Sequence, residues 1–235
     1  MRRRQQHGGY TLIELMISIA IGLFIALGLS GIYFVAKRNF LDQDSLGATL
    51  ENQRFVFTVL TDQVQTAGYY PEPMSNNSTL AFPAAANFAV GSFLFGSGNA
   101  TAANDSLTIR YQARAADNLS SCTGSKHNAA AAATYSSRFE VNSSQQLICT
   151  DSDNRQSVIS EDVAGFKVLY LADTDGDAAP DRYLYASSVT TAGLWASIHA
   201  VQISYRKIDR EKSRGNNLVY LPMTFKKTIA LRNQA

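Results

Sequence analysis

The sequence predicts an α+β protein in which a long N-terminal α-helix spans a membrane with its first half and packs on an antiparallel β-sheet head with its second half. Three observations lead to this prediction. Residues 15–36 contain no charged side chain, the apolar spacing of a helix continues to Ala67, and short β-type runs bounded by turn residues fill the rest. We expect four segments, at residues 1–9, 10–36, 37–68 and 69–235.

The uncharged run of residues 15–36 is long enough to cross a bilayer. Its 22 residues would rise about 33 Å as a helix, against a hydrocarbon core of about 30 Å. Glu14 lies directly before this run, where a carboxylate is costly in lipid and needs a cationic partner or a functional role. If the chain were cut after Gly9, the new α-amino group of Tyr10 would supply that cation.

The residues around this position resemble the processing signal of type IV prepilins. The resemblance rests on a basic leader, a glycine, an aromatic residue and a glutamate: Arg2, Arg3, Arg4, Gly9, Tyr10 and Glu14. In that family a membrane peptidase removes the leader and methylates the new N-terminus, usually Phe, so the resemblance implies processing between Gly9 and Tyr10. An ordinary secretory signal fits poorly, because its apolar region has only about 7 to 15 residues and ends at a small-x-small site.

Small residues recur at every fourth position of the spanning helix: Ser18, Gly22, Ala26 and Ser30. Such a stripe lets helices approach closely in lipid, although small residues are also frequent in spanning helices for other reasons. Beyond the membrane, an amphipathic pattern that includes Leu46 and Leu50 predicts a helix up to Ala67, with Gly68 as its stop signal. Phe55 and Val56 widen the apolar face, which favours burial under a sheet over a coiled coil.

The head is predicted to contain at least five strands of an antiparallel sheet, at residues 107–111, 166–171, 182–185, 200–205 and 225–231. The Ala-rich residues 129–133 are predicted to form a flexible loop. Trp195 and Phe225 are expected to pack in the core.

The charge of the leader predicts a head outside the cytoplasm, and this location bears on the state of the two cysteines. The net charge of +2 becomes −1 when the three leader arginines are removed, which excludes a nucleic-acid footprint. The same arginines favour a cytoplasmic N-terminus and a periplasmic head. Because the periplasm is oxidising, we expect the two cysteines, Cys122 and Cys149, to form one disulfide.

Four carboxylates lie within nine residues, at Asp173, Asp175, Asp177 and Asp181. Their relative positions 1, 3, 5 and 9 are those of ligands in a calcium-binding loop, and calcium is the one cofactor that the sequence suggests. The loop departs from an EF-hand because its glycine is at position 4 and its twelfth residue is Leu184. A calcium site and a solvated turn between two strands both fit this pattern.

No catalytic or zinc-binding constellation is apparent in the sequence. The three histidines are His7 in the leader, His127 and His199, and none lies beside a second metal-binding or nucleophilic residue in a recognisable motif. We therefore predict a protein that is not an enzyme, with a membrane-anchored periplasmic enzyme as a remote alternative.

Two further regions resemble PilW-type minor pilins: residues 51–55 with 65–69 at the helix end, and residues 228–233 at the C-terminus. Tyr170 and the acidic loop extend the resemblance, whereas residues 73–150 carry none. The resemblance implies a low-abundance pilus subunit that primes assembly near the tip. A pseudopilin of a type II secretion system shares the signal, helix and head, and is the main alternative.

The same resemblance implies the partners and the location of the chain. The partners are a prepilin peptidase that is also an N-methyltransferase, other minor pilins, the major pilin and an assembly platform in the inner membrane. The chain would lie in the inner membrane before assembly and in the pilus fibre at the cell surface afterwards.

Overall fold

The chain divides into two units, residues 1–51 and 52–235, and the computed structural model describes residues 11–210, 212–215 and 217–233. Helix α1, Leu12–Thr66, runs through the boundary between the units. In the first unit, residues 11–48 are all exposed. This part of α1 is long and apolar enough to cross a membrane.

In the described part of the second unit, the end of α1 is followed by two short helices and nine strands. They are α2 (Ser78–Ala81), β1 (Leu94–Ser97), β2 (Ser106–Ala113), β3 (Ala133–Val141), β4 (Leu147–Asp151), β5 (Gln156–Ser160), β6 (Val163–Ala172), β7 (Arg182–Tyr185), α3 (Ala186–Ala192), β8 (Ile198–Ile208) and β9 (Tyr220–Ala230). The strands form two antiparallel sheets, one in the order β1-β2-β3-β4-β5 and one in the order β7-β6-β8-β9.

The five predicted strands are confirmed as β2, β6, β7, β8 and β9. The predicted α+β class, a long helix packed on antiparallel β-structure, is confirmed, but the strands form two sheets where one was predicted. A turn at Asp162, with φ of 56°, separates β5 of the first sheet from β6 of the second. The other four strands escaped prediction because β1, β4 and β5 have only four or five residues each, and because the buried face of β3 carries the polar Ser137, so that none shows a clear apolar alternation. Ala133, expected to end a flexible loop, begins β3.

The C-terminal turns of α1 contribute one side of the core. Val56, Phe57, Leu60 and Val64 are buried, and the Phe57 ring lies 5.7 Å from that of Tyr205. Burying side chains of this size contributes roughly 1.5–3 kcal/mol each. Trp195 and Phe225 are buried as predicted.

The apolar face of α1 was predicted to be longer than the buried face observed. Leu46, Leu50 and Phe55 expose 46%, 44% and 55% of their surface. Leu46 and Leu50 belong to the first unit, where no described side chain is buried. Phe55 precedes the buried Val56 by one residue, a rotation of about 100° around the helix, which turns its side chain away from the core.

Polar side chains fix α1 against the sheets within the second unit. Ser137 Oγ donates to Gln63 Oε1 at 2.8 Å, and Ser160 Oγ donates to Asn52 Oδ1 at 2.7 Å. Near the end of α1, two backbone carbonyl oxygens accept hydrogen bonds from Asn233 Nδ2, each at 3.1 Å. These bonds satisfy carbonyls that a helix end otherwise leaves unpaired.

Candidate functional site

Cleavage between Gly9 and Tyr10 stays a prediction, because residues 1–10 lie outside the part of the chain that the structure describes. The described chain begins with Thr11, directly before α1.

Glu14 closes the N-terminus of α1 together with Thr11. The backbone N–H and the hydroxyl of Thr11 both donate to Glu14 Oε2 at 3.0 Å, and the Glu14 N–H donates to Thr11 Oγ1 at 3.4 Å. This reciprocal pattern is a capping box, which satisfies two helix-end donors and puts a carboxylate at the positive end of the helix dipole. Sequence reasoning missed it, although a threonine three residues before a glutamate is its signature.

The second carboxylate oxygen of Glu14 stays available for another donor. Oε1 accepts no hydrogen bond from the described residues. Capping therefore does not compete with the predicted pairing between Glu14 and an α-amino group at Tyr10.

The stripe of small residues is exposed and presents few free polar groups. Ser18 Oγ donates to the carbonyl of Glu14 at 2.7 Å, and Ser30 Oγ donates to that of Ala26 at 2.8 Å. Hydroxyls bonded within their own helix need no partner in lipid. The side of α1 that carries the stripe is therefore suited to close approach by another helix.

The structure joins Cys122 and Cys149 in a disulfide, in agreement with the prediction. Their Cα atoms are 6.3 Å apart and 27 positions separate them in the chain. Cys149 lies in the buried face of β4, so the bond attaches the loop between β2 and β3 to the core.

The acidic loop joins β6 to β7 and brings three of its four carboxylates together. Oxygen atoms of Asp173, Asp175 and Asp177 lie within 4.8 Å of one another. Asp181 is not part of this group: its Oδ2 accepts hydrogen bonds from the N–H and the hydroxyl of Thr174, at 2.7 and 2.8 Å.

The loop backbone already compensates part of this negative charge. Asp173 accepts bonds from the backbone N–H groups of Gly176 and Ala178, at 2.7 and 2.9 Å. These bonds, the one from Gly176 first, lower the pKa of Asp173, and the Thr174 N–H lowers the pKa of Asp181. Asp173 is thus held ionised beside Asp175 and Asp177. Carboxylate oxygens grouped in this way are the ligands that suit a hard cation such as calcium.

Calcium binding by this loop remains a prediction. We expect a weak site, with a dissociation constant on the order of 10⁻⁴ to 10⁻³ M, because the bidentate glutamate of an EF-hand is absent. Saturating calcium should then stabilise residues 52–235 by roughly 1–3 kcal/mol. Calorimetry with calcium or chelator measures the shift, and Asp175→Ala combined with Asp177→Ala should abolish it.

A matched control removes two exposed carboxylates elsewhere, by Asp62→Ala combined with Glu161→Ala. This control should keep the calcium-dependent shift. If the unaltered protein melts at the same temperature with and without millimolar calcium, the loop is only an acidic turn.

Arg110 of β2 is a buried cation that sequence reasoning missed. Its guanidinium donates to four backbone carbonyls of one loop, those of Phe82, Pro83, Ala89 and Ser92, at 2.7 to 3.2 Å. It also lies 4.6 Å from the centre of the Phe88 ring. Burial lowers the pKa of Arg110, and the carbonyl dipoles stabilise the charge that remains. Arg110 therefore holds residues 82–92 on the five-stranded sheet.

His127 is buried between two tyrosines near the disulfide. Its Nε2 lies 2.9 Å from Tyr111 Oη, and its ring stacks on Tyr135 with a centroid distance of 3.7 Å. Desolvation lowers the pKa of His127, against the opposing charges of Asp153 and Asp151. The neutral ring is thus favoured in the folded protein.

This environment predicts a pH-dependent stability. Because the folded state lowers the pKa of His127 below its ordinary value near 6.5, the unfolded chain takes up the proton first as the pH falls. The contribution of neutral His127 to the free energy of unfolding is fully present above pH 6.5. It is lost as the pH falls through the pKa that His127 has in the folded protein. The melting temperature should drop less between pH 7.5 and 5 in His127→Gln than in the unaltered protein, and His199→Gln is the control. An equal drop in melting temperature in the unaltered protein, His127→Gln and His199→Gln would show that neutral His127 does not stabilise the fold.

Comparison with protein families gives one match at the N-terminus and one in the second half of the chain. The prokaryotic N-terminal methylation motif matches residues 4–30, which contain the capped glutamate and the start of the apolar helix. The model for type IV pilus-assembly protein W, PilW, matches residues 131–222, which run from the loop before β3 into β9. The chain is thus similar to type IV prepilins at its N-terminus and to PilW over residues 131–222.

The PilW match and the earlier resemblance cover different residues. The matched region includes the acidic loop but excludes residues 51–55, 65–69 and 228–233, and it includes residues 131–150, where sequence inspection found no resemblance. Among solved structures, the chain is similar to a type IV-like pilin from Thermus thermophilus, with a TM-score of 0.42 and 12% identity over 80% of this chain and 97% of that chain. No curated protein matches the sequence significantly.

The PilW match also bears on enzymatic activity. The family that this model describes is structural, which supports the prediction that the chain is not an enzyme.

Proposed function

We propose that this chain is a minor subunit of the type IV pilus that primes assembly together with other minor pilins and lies near the pilus tip. The observation that carries the proposal is a capped glutamate at the start of an exposed apolar helix. A carboxylate at the edge of a membrane-spanning segment is expensive unless it has a partner. Among the described residues, none donates a hydrogen bond to Oε1 of Glu14, so this oxygen can accept one from a partner.

The proposed sequence of events starts with removal of residues 1–9 by the prepilin peptidase at the cytoplasmic side of the inner membrane. Tyr10 then carries the new, methylated amino group. Glu14 pairs with that group in the same subunit or in a neighbouring pilin, while the assembly platform extracts the subunit from the membrane. The head stays periplasmic until the fibre reaches the cell surface.

Exposed apolar side chains in the first unit support contacts with other pilin helices. Leu41, Leu46 and Leu50 expose 44% to 55% of their surface, and apolar area of this kind is stabilised when a partner covers it. The match to a pilus-assembly protein favours the pilus over the type II secretion alternative.

Deletion of the gene should abolish or strongly reduce surface pili, and the mature chain should be present in sheared pili in small amounts. Electron microscopy and immunoblotting of the sheared fraction test both expectations. Complementation with the unaltered gene is the control. Normal pili after deletion, accompanied by loss of type II secretion, would show the chain to be a pseudopilin.

A further inference from the structure

The outer face of the five-stranded sheet forms a polar cleft of about 620 Å³. One row of side chains crosses its floor, because paired residues of neighbouring antiparallel strands point to the same face. The row consists of Phe95, Thr108, Arg138, Thr150 and Gln156. All five strands thus contribute to one continuous surface.

The walls of this cleft come from two loops. The loop that Arg110 holds contributes Phe88, whose ring lies 6.1 Å from that of Phe95. At the other end, the turn between β4 and β5 contributes Ser152 and Asn154. One end of the cleft is therefore aromatic, and the remainder is lined mainly by hydroxyl, amide and charged groups.

The two charged side chains on the floor of the cleft, Arg138 and Glu140, pair with each other. Arg138 Nη2 lies 2.7 Å from Glu140 Oε2. The Asp151 carboxylate accepts hydrogen bonds from Thr123 Oγ1 at 2.7 Å and from the Asp153 N–H at 2.9 Å. Beside this neutral pair the cleft holds one further carboxylate, that of Asp151, which is buried and already occupied by these hydrogen bonds.

One polar group in the row lacks a partner. Thr150 Oγ1 is buried and makes no hydrogen bond among the described residues. A buried hydroxyl without a partner is costly. A ligand in the cleft could reach this oxygen only after a neighbouring side chain of the row, that of Arg138 or Gln156, moved aside.

We propose that this cleft binds a neutral carbohydrate. Each sugar hydroxyl both donates and accepts hydrogen bonds, as do the hydroxyl and amide side chains of the floor. The C–H face of a pyranose ring can pack against the aromatic pair Phe88 and Phe95. The Arg138–Glu140 pair offers charged donors and acceptors for the sugar hydroxyls without selecting a charged ligand. A concave surface with convergent polar groups is the usual form of a small-molecule site.

The experiment uses the full chain in lauryldimethylamine oxide micelles, because maltoside and glucoside detergents carry sugars of their own. Saturation-transfer NMR with lactose, chitotriose and mannotriose identifies a binder, and titration measures its dissociation constant. Arg138→Gln and Gln156→Ala should each weaken binding about tenfold or more. Both residues are exposed, so neither substitution should unfold the protein.

The control is Gln202→Ala, a polar substitution on the other sheet, which should leave binding unchanged. Binding of at least one neutral sugar that both cleft variants weaken supports the proposal. Three outcomes would overturn the proposal. In the first, none of the three sugars binds; in the second, the cleft variants bind a sugar as tightly as the unaltered protein does. In the third, only a charged sugar such as sialyllactose binds. If the unaltered protein binds no sugar but binds another pilin, and Arg138→Gln no longer binds that pilin, the cleft is a protein interface. Because the assay uses purified protein, its outcome is independent of any role in pilus assembly.

Discussion

Replacing Glu14 by alanine is expected to abolish assembly of this subunit into pili while leaving removal of the leader intact. The substitution removes the carboxylate that would pair with the Tyr10 amine, and it also removes half of the capping box with Thr11. Loss of a helix cap alone costs only about 0.5–2 kcal/mol, whereas loss of the charge removes the pairing itself. Immunoblots of membranes and of sheared pili measure cleavage and assembly separately.

Two matched variants separate the steps of this prediction. Glu14→Gln keeps an acceptor for the capping box but not the charge, so it should also fail to assemble if ion pairing is essential. Gly9→Arg should block cleavage and leave only the longer form, because the peptidase requires a small residue there. Piliation at the normal level in Glu14→Ala would contradict the pairing, and normal processing of Gly9→Arg would contradict the cleavage site.

Replacing Arg110 by methionine is expected to lower the free energy of unfolding of the head by about 3 kcal/mol or more. Methionine fills much of the same space but donates no hydrogen bond, so the four loop carbonyls lose a charged donor. Hydrogen bonds to charged groups contribute roughly 1.5–3 kcal/mol each, although such contributions are not additive. Urea unfolding of residues 52–235, followed by circular dichroism, measures the change.

Arg138→Met is the matched control, because Arg138 lies on the same face of the same sheet but is exposed. Its substitution should change stability by no more than about 0.5 kcal/mol. Arg110→Lys should be intermediate, since an ammonium group keeps the charge but cannot reproduce the planar fork. Equal stability of Arg110→Met and Arg138→Met would show that the loop does not depend on Arg110.

The sequence alone was sufficient for the features that depend on local spacing. The apolar run, the stop at Gly68 and the strongly alternating strands were all predictable, because neighbouring residues dictate helix and strand periodicity. The pairing of Cys122 with Cys149 was predictable as well, because there are only two cysteines. The capping box of Thr11 and Glu14 is equally local and could have been read from its spacing.

Only the tertiary structure decided the features that join distant residues. Arg110 binds carbonyls 18 to 28 positions earlier in the chain, and as a letter in the sequence it is indistinguishable from the exposed Arg138. The cleft depends on the register of five strands, four of which lack a clear apolar pattern. Burial and strand register depend on the whole packing arrangement, so the environment of a polar side chain in this head follows from the fold and not from its neighbours in the sequence.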